Sequence, residues 1–156
     1  MTEAPERTPF DGPQMQGAKF ERADMTGAAF DGVNLTGASF WAVLSGARFT
    51  DTNLSAAAFE DVNLSGAVFE NINLAQAQFG VITFEGSEIR DANLSGVSIR
   101  QATLTGLSIE NAVATGLRIQ DADLTDARID DCKLDGMTIE GVPVSELLAL
   151  WREHRG

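Results

Sequence analysis

A large apolar residue returns at every fifth position through most of this chain, a period that neither an α-helix nor a flat strand supplies. From Leu44 the series runs through Phe49, Leu54, Phe59, Leu64, Phe69, Leu74, Phe79, Phe84, Ile89, Leu94, Ile99, Leu104, Ile109, Ala114, Ile119, Leu124, Ile129, Leu134, Ile139 and Val144. A second set lies two positions earlier and is mostly small: Ala42, Ala47, Ala57, Ala67, Ala77, Ala92, Ala102, Ala112, Ala122 and Ala127. Residues two apart point to the same face of an extended segment. Each pentapeptide therefore reads as one short strand with a large and a small side chain facing inward, closed by a turn.

Two pentapeptides make a ten-residue super-period. Glycine recurs two residues after large positions, at Gly46, Gly66, Gly86, Gly96, Gly106, Gly116 and Gly136. That placement points to turns needing a positive φ, as type II turns do. The other corners carry Asp51, Asp61, Asn71, Asp91, Gln101, Asn111, Asp121 and Asp131, residues suited to a different turn type. Upstream, Met15, Phe20, Met25, Phe30, Leu35 and Phe40 keep the beat until the spacing drops to four between Phe40 and Leu44. One residue is missing there. Trp41 stands beside the gap, and its expected role is to cover a tightened corner rather than to bind a partner.

Ala92-Asn93-Leu94-Ser95-Gly96, Ala122-Asp123-Leu124-Thr125-Asp126 and Ala23-Asp24-Met25-Thr26-Gly27 follow the pattern A-(D/N)-L-x-x. In these units, and across about residues 15–144, the chain resembles the pentapeptide-repeat family. The resemblance implies an all-β fold, a right-handed quadrilateral parallel β-helix with four pentapeptides per coil. Coils stacked at the ~4.8 Å strand spacing bring residues twenty apart into columns. Phe49 is expected to stack with Phe69 and Phe59 with Phe79, followed by Ile99, Ile119 and Ile139. Arg90, between Glu70 and Glu110, is expected to form a cross-coil ion pair.

Three parts follow. Residues 1–14, with Pro5, Pro9 and Pro13, read as a flexible arm; residues 15–144 as the β-helix; residues 145–156 as a short C-terminal α-helix for capping or dimerisation. Ser145 is the expected N-cap, and Leu147, Leu148, Leu150 and Trp151 give the helix an apolar face. Solenoids need covered ends, so Leu147 and Leu148 are expected to bury against Leu134 and Ile139, with or without joining two rods. Cys132, the single cysteine, falls on the small inward grid and reads as buried. One cysteine, no secretory signal and no apolar run long enough for a bilayer fit a cytoplasmic protein.

Catalysis needs unlike residues converging on one point, which would disturb the repeat. The one histidine, His154, lies in the terminal helix. No His/Cys spacing suits a metal and no phosphate loop stands between a strand and a helix. The expectation is a protein that is not an enzyme and takes no cofactor or metal.

The formal charge is −12, from 23 acids against 11 bases, which argues against direct binding to nucleic acid or an anionic membrane. Spread over a rod of ~30 Å, this is roughly one charge per 2.5 Å, within a factor of two of duplex DNA. The candidate acidic binding surface is Asp51, Glu60, Asp61, Glu70, Asp121, Asp130, Asp131 and Asp135. The first functional expectation is a non-catalytic acidic scaffold for protein–protein interaction, its partner unidentified. The alternative comes from the resemblance: the Qnr/MfpA-like fluoroquinolone-resistance branch is understood as DNA mimics that bind DNA gyrase or topoisomerase, as homodimers joined by a C-terminal helix. The projecting loops of Qnr members are absent from this sequence.

Overall fold

In the computed structural model, which describes residues 14–124 and 132–154, the repeats wind into about five stacked turns of a quadrilateral β-helix. One half of each coil supplies β1 (Lys19–Asp24), β3 (Ser39–Val43), β5 (Ala58–Asn63), β7 (Gln78–Thr83), β9 (Ser98–Thr103) and β11 (Arg118–Gln120), paired in parallel in that order. The other half supplies β2 (Ala29–Asp31), β4 (Arg48–Thr50), β6 (Val68–Asn73), β8 (Glu88–Asn93) and β10 (Ser108–Glu110), also parallel. The twenty-residue register is explicit: Phe59 pairs with Phe79, and Phe69 with Ile89. In β5 to β9 two inward residues flank an outward corner pair, as in Ala58–Asn63, where Phe59 and Val62 face inward and Glu60 and Asp61 outward.

The corners explain the repeat chemistry. At one set, the N–H of Ala47 donates to the carbonyl of Leu44 at 3.0 Å, and Ala67 to Leu64 at 2.9 Å. Gly46 and Gly66 sit at the third turn position with φ of 64° and 65°, which makes these the type II turns that the glycine spacing indicates. The asparagine that precedes several of the leucines has its own task. Asn53, Asn63, Asn73 and Asn93 each accept, through Oδ1, the backbone N–H two residues on, at 2.9–3.0 Å. These Asx contacts pre-form the turn, a local reason for Asp or Asn before leucine. The second set of corners is also left-handed, with φ of 49° at Asp51, 54° at Asp61 and 52° at Asn71. In β5 to β9 the chain rounds this corner while staying in the parallel ladder.

Inside, two phenylalanine stacks run up the prism. Phe20, Phe40, Phe59 and Phe79 lie ring over ring at centroid spacings of 4.6–4.8 Å, and Phe30, Phe49 and Phe69 at 4.7–4.8 Å. The two stacks meet edge-to-face, Phe40 and Phe49 at 6.3 Å and 88°, so the coil spacing sets an offset and crossed geometry that aromatic quadrupoles favour. Ile89 and Ile99 take over from Phe69 and Phe79. Leu35, Leu44, Leu54, Leu64 and Leu74 are fully buried on the remaining sides. Two buried hydroxyls are satisfied by backbone carbonyls: Thr52 lies 2.8 Å from that of Thr50 in its own coil and 3.2 Å from that of Phe30 in the adjoining one, and Ser87 donates to Leu64 of the adjoining coil at 2.6 Å.

The four-residue spacing resolves as a missing corner. Glu21 pairs with Trp41 and Ala23 with Ala42, so Arg22 is skipped and has no counterpart in the next coil. Arg22 and Asp61, below and above the gap, both hold the left-handed corner conformation. The deletion thus removes the corner residue itself, leaving both inward side chains, Phe40 and Ala42, in the core.

The C-terminal part departs from the expected grid. Among the described residues, no backbone hydrogen bond ties 132–154 to the coils, and the ladder ends at β11. β12 (Thr138–Ile139) instead folds back antiparallel on β13 (Val142–Pro143), so Ile139 pairs with Val142 and does not continue the Ile99–Ile119 column. Cys132 is exposed rather than buried, because no described coil stacks over its grid position. α1 (Val144–Glu153) starts earlier than expected: Pro143 is the N-cap, no side chain caps the turn, and Ser145 lies inside the helix. Val144 is its one buried residue, held by a 3.0 Å bond from its N–H to the Met137 carbonyl. Leu147 and Leu148 are 39% and 38% exposed and Ile139 51%, so these residues do not form the buried cap expected of them. Of the arm expected at 1–14, residues 1–13 lie outside the described residues, and Gln14 already bridges in parallel to Asn34 of the next coil.

Truncating a stacked ring leaves a cavity that neighbouring coils cannot close. Phe59→Ala should lower the unfolding free energy by about 3–5 kcal/mol, measured by urea denaturation. A change below about 1 kcal/mol would contradict a packed aromatic ladder.

Candidate interaction faces

The acidic side chains expected to form one surface are divided between two edges. Asp51 and Glu70 lie on one edge, where they adjoin Asp31, Asp91 and Glu110. Glu60, Asp61 and Asp121 lie half a coil away, at the diagonally opposite corner. All are exposed except Glu70, which is half-buried. Asp135 is exposed in the C-terminal part, where it pairs with Lys133 at 3.4 Å, an exposed contact of little energetic weight. Asp130 and Asp131 lie outside the described residues.

On the first edge, Asn71 donates its side-chain amide to Asp51, so an amide between acids relieves repulsion along the column. Arg90 is in register with both Glu70 and Glu110, but its guanidinium pairs with Glu88 on its own strand at 3.3 Å. The Glu110 carboxylate meanwhile accepts from Ser108 at 3.0 Å. The expected cross-coil ion pair is therefore replaced by contacts within strands, since residues two apart share a face and are already close.

The opposite corner holds a feature that the repeat pattern conceals. The Trp41 ring lies under the Arg22 guanidinium, 5.0 Å from its centroid, and the indole N–H donates to Asp61 at 3.1 Å. A cation–π contact and a hydrogen bond to an acid thus fix the indole across the missing corner. Around it runs an open groove of about 640 Å³ whose lining includes Asp24, Val43, Asn63, Val81, Thr83 and Gln101. Trp41 and Val43 are each 42% exposed and Val81 is 47% exposed.

Val81 stands out by backbone as well as by exposure. It occupies the left-handed corner with φ 49°, where neighbouring coils place Asp61 and Gln101. A β-branched residue there is a conformational outlier, costing about 1–3 kcal/mol. In the same groove, the Thr26 hydroxyl and backbone N–H both donate to Asp24, at 2.7 and 3.1 Å. These two bonds, the hydroxyl first, hold the Asp24 carboxyl below its ordinary range.

The third candidate surface is α1, where Leu147, Leu148, Leu150 and Trp151 are all more than a third exposed. His154, at its end, contacts the Leu150 carbonyl through Nδ1 at 2.8 Å. Among the described residues there is no group of His, Cys, Asp or Glu arranged to hold a metal ion. No helix of the described residues is long and apolar enough to cross a membrane.

A rod of stacked square coils, regular inside and varied along its edges, defines a repeat-solenoid protein whose differences lie on its surface. The pentapeptide-repeat family matches residues 10–41, 42–80, 67–106 and 92–131, in 8 copies, and the chain belongs to that family. No curated protein sequence matches it. Among solved structures it is similar to the pentapeptide-repeat protein Rfr23 from the cyanobacterium Cyanothece 51142, with 21% identity and a TM-score of 0.63 over 70% of this chain and 90% of that one. It is also similar to HetL from Nostoc sp. strain PCC 7120, a protein involved in heterocyst differentiation regulation, with 21% identity and a TM-score of 0.53 over 74% of this chain and 61% of HetL. QnrB1, a plasmid-mediated fluoroquinolone resistance protein, aligns at 16% identity with a TM-score of 0.41 over 90% of this chain and 95% of that one, too distant to bear on function. At these identities the shared property is the fold.

Two measurements check this geometry. Val81→Asn places a residue tolerant of the left-handed region at the corner, and should raise stability by about 1 kcal/mol, seen as a Tm increase of a few degrees. The Asp24 carboxyl should titrate below the ordinary aspartate range in an NMR pH series, and Thr26→Val should move it back up. The sign follows from linkage: a depressed carboxylate stabilises the fold above the unfolded pKa, and that contribution is lost as pH falls through the folded value.

Proposed function

We propose that this protein is a non-catalytic scaffold that binds another protein through the outward edges of its coils. The observation that carries this reading is the contrast between a uniform interior and a differentiated exterior. The core stays apolar coil after coil, filled by alanine, leucine, phenylalanine, isoleucine and valine, while acids gather along two diagonal edges and, from Phe20 to Leu104, the exposed large apolar residues gather along one groove. The charge of −12 favours a basic partner surface and a fast, salt-dependent encounter. The single cysteine and acidic composition fit action in the cytoplasm. Pull-down with the intact rod should recover a partner whose binding weakens steeply between low and physiological salt. Recovery of nothing, or binding indifferent to salt, contradicts the proposal.

The parallel acidic edges favour one second reading, a DNA mimic that binds gyrase or topoisomerase, because two lines of negative charge along a rod follow the layout of two phosphate backbones. The opposing fact is Arg22, Arg90 and Arg100, which interrupt those edges. Supercoiling assays with purified gyrase decide. Inhibition or protection that is lost when Glu60, Asp61 and Glu70 are reversed in charge supports mimicry, and no effect at micromolar protein removes it.

The exposed face of α1 is proposed to join two copies. Light scattering should give a dimer mass for the intact chain and a monomer mass for Trp151→Asp; a monomer in both cases rules the joint out.

A further inference from the structure

We propose that the groove around Trp41 is the docking site for an extended protein segment that combines basic and apolar side chains. This rests on the scaffold reading above and names the partner chemistry and the site. Along the coils from Phe20 to Leu104, the large apolar residues exposed among the described residues are Trp41, Val43 and Val81, and all three line this one groove. They are not remnants of core packing. The inward positions of the same coils hold Ala42, Val62 and Ile82, which are buried.

Val81 is the most telling of the three. A left-handed corner favours Gly, Asn or Asp, and solvent exposure favours a polar residue. Valine is the wrong choice on both counts, and the core gains nothing from it. A strained apolar residue held at the surface is accounted for by something that covers it. Trp41, locked between Arg22 and Asp61, is a pre-organised aromatic anchor of the kind that dominates interface energetics.

The groove also selects its occupant. Asp24 and Asp61 line it, and Glu21 and Glu60 flank it on the same wall, with Arg100 two coils beyond Glu60; the one cation in the lining, Arg22, is already placed on the Trp41 ring. The net acidic character complements Lys or Arg beside apolar anchors. Asn63, Thr83 and Gln101 supply donors and acceptors for a backbone lying along the rod axis. From Arg22 to Gln101 the groove crosses four coil steps, ~19 Å at the strand spacing, the length of about six extended residues.

The test is a random-peptide display library panned on the intact protein. The expected enrichment is Lys or Arg next to apolar residues. A synthetic peptide of the enriched sequence should then lose about tenfold or more in affinity against Val81→Asn and against Asp61→Asn. It should change less than about twofold against the double variant Asp51→Asn, Glu70→Gln on the opposite edge. Val81→Asn is chosen because it relieves strain, so lost binding cannot be assigned to misfolding when its Tm is equal or higher. Binders that ignore Val81→Asn but are lost with the opposite-edge variant overturn the groove and leave the scaffold reading standing. Self-association abolished by Val81→Asn makes a second copy the occupant and also overturns the proposal. A library yielding no binder counts against the groove, while salt-dependent capture of a partner would still uphold the broader reading.

Discussion

The left-handed corner is the constraint on which the rest of this structure depends. A chain that turns every five residues must place one residue per pentapeptide at positive φ, where most L residues are penalised. The protein meets this demand mainly in two ways, glycine in hydrogen-bonded type II turns and Asp, Asn or Gln at the other corners, with Ala56, Gln76, Arg22 and Val81 among the departures. Once the corners are set, the two inward positions of each side follow, and with them the whole prism. The Asx contacts of the asparagines that precede leucines carry the same logic one step further, by using a side chain to hold the turn.

Stacking then converts a local constraint into a global one. Because each coil lies over the last at the strand spacing, an inward phenylalanine meets another phenylalanine one coil away, at a distance that suits offset rings. The lost residue between Phe40 and Leu44 shows how strongly the core controls this register. The gap falls at an outward corner, and the inward ladder of Phe40 over Phe20 and under Phe59 is unbroken. The interior varies mainly among apolar residues, and changes of chemical character are carried by the exterior, where they have no core to disrupt. The strained Val81 and the pinned Trp41 are both found there, lining the same groove.

Electrostatics divides in the same manner. Acids occupy outward corners because those positions accept Asp and Asn conformationally, before any binding role is considered. The acidity of the chain is thus partly a by-product of turning corners. The arginines show the limit of column reasoning: Arg90 is in register with two glutamates yet pairs with Glu88 on its own strand, the nearer neighbour.

What the sequence determined by itself was the coil. The period, the small residue two places before the large one, the glycine spacing and the phenylalanine columns were all legible, because each is a local rule repeated at a fixed interval. Trp41 was legible as a lesion but not as part of a groove, since Arg22, Asp61 and Val81 join it only after coils are stacked. The acidic residues were legible as a count, while their separation onto diagonal edges needed the fold. The grid also suggested a buried Cys132 and an inward Ile139, and failed there. Inward direction is a property of a coil stacked on its neighbour, and the described chain instead turns back at β12 and β13. Tertiary structure alone decided which outward residues share a face, because that depends on distances between coils rather than on spacing along the chain.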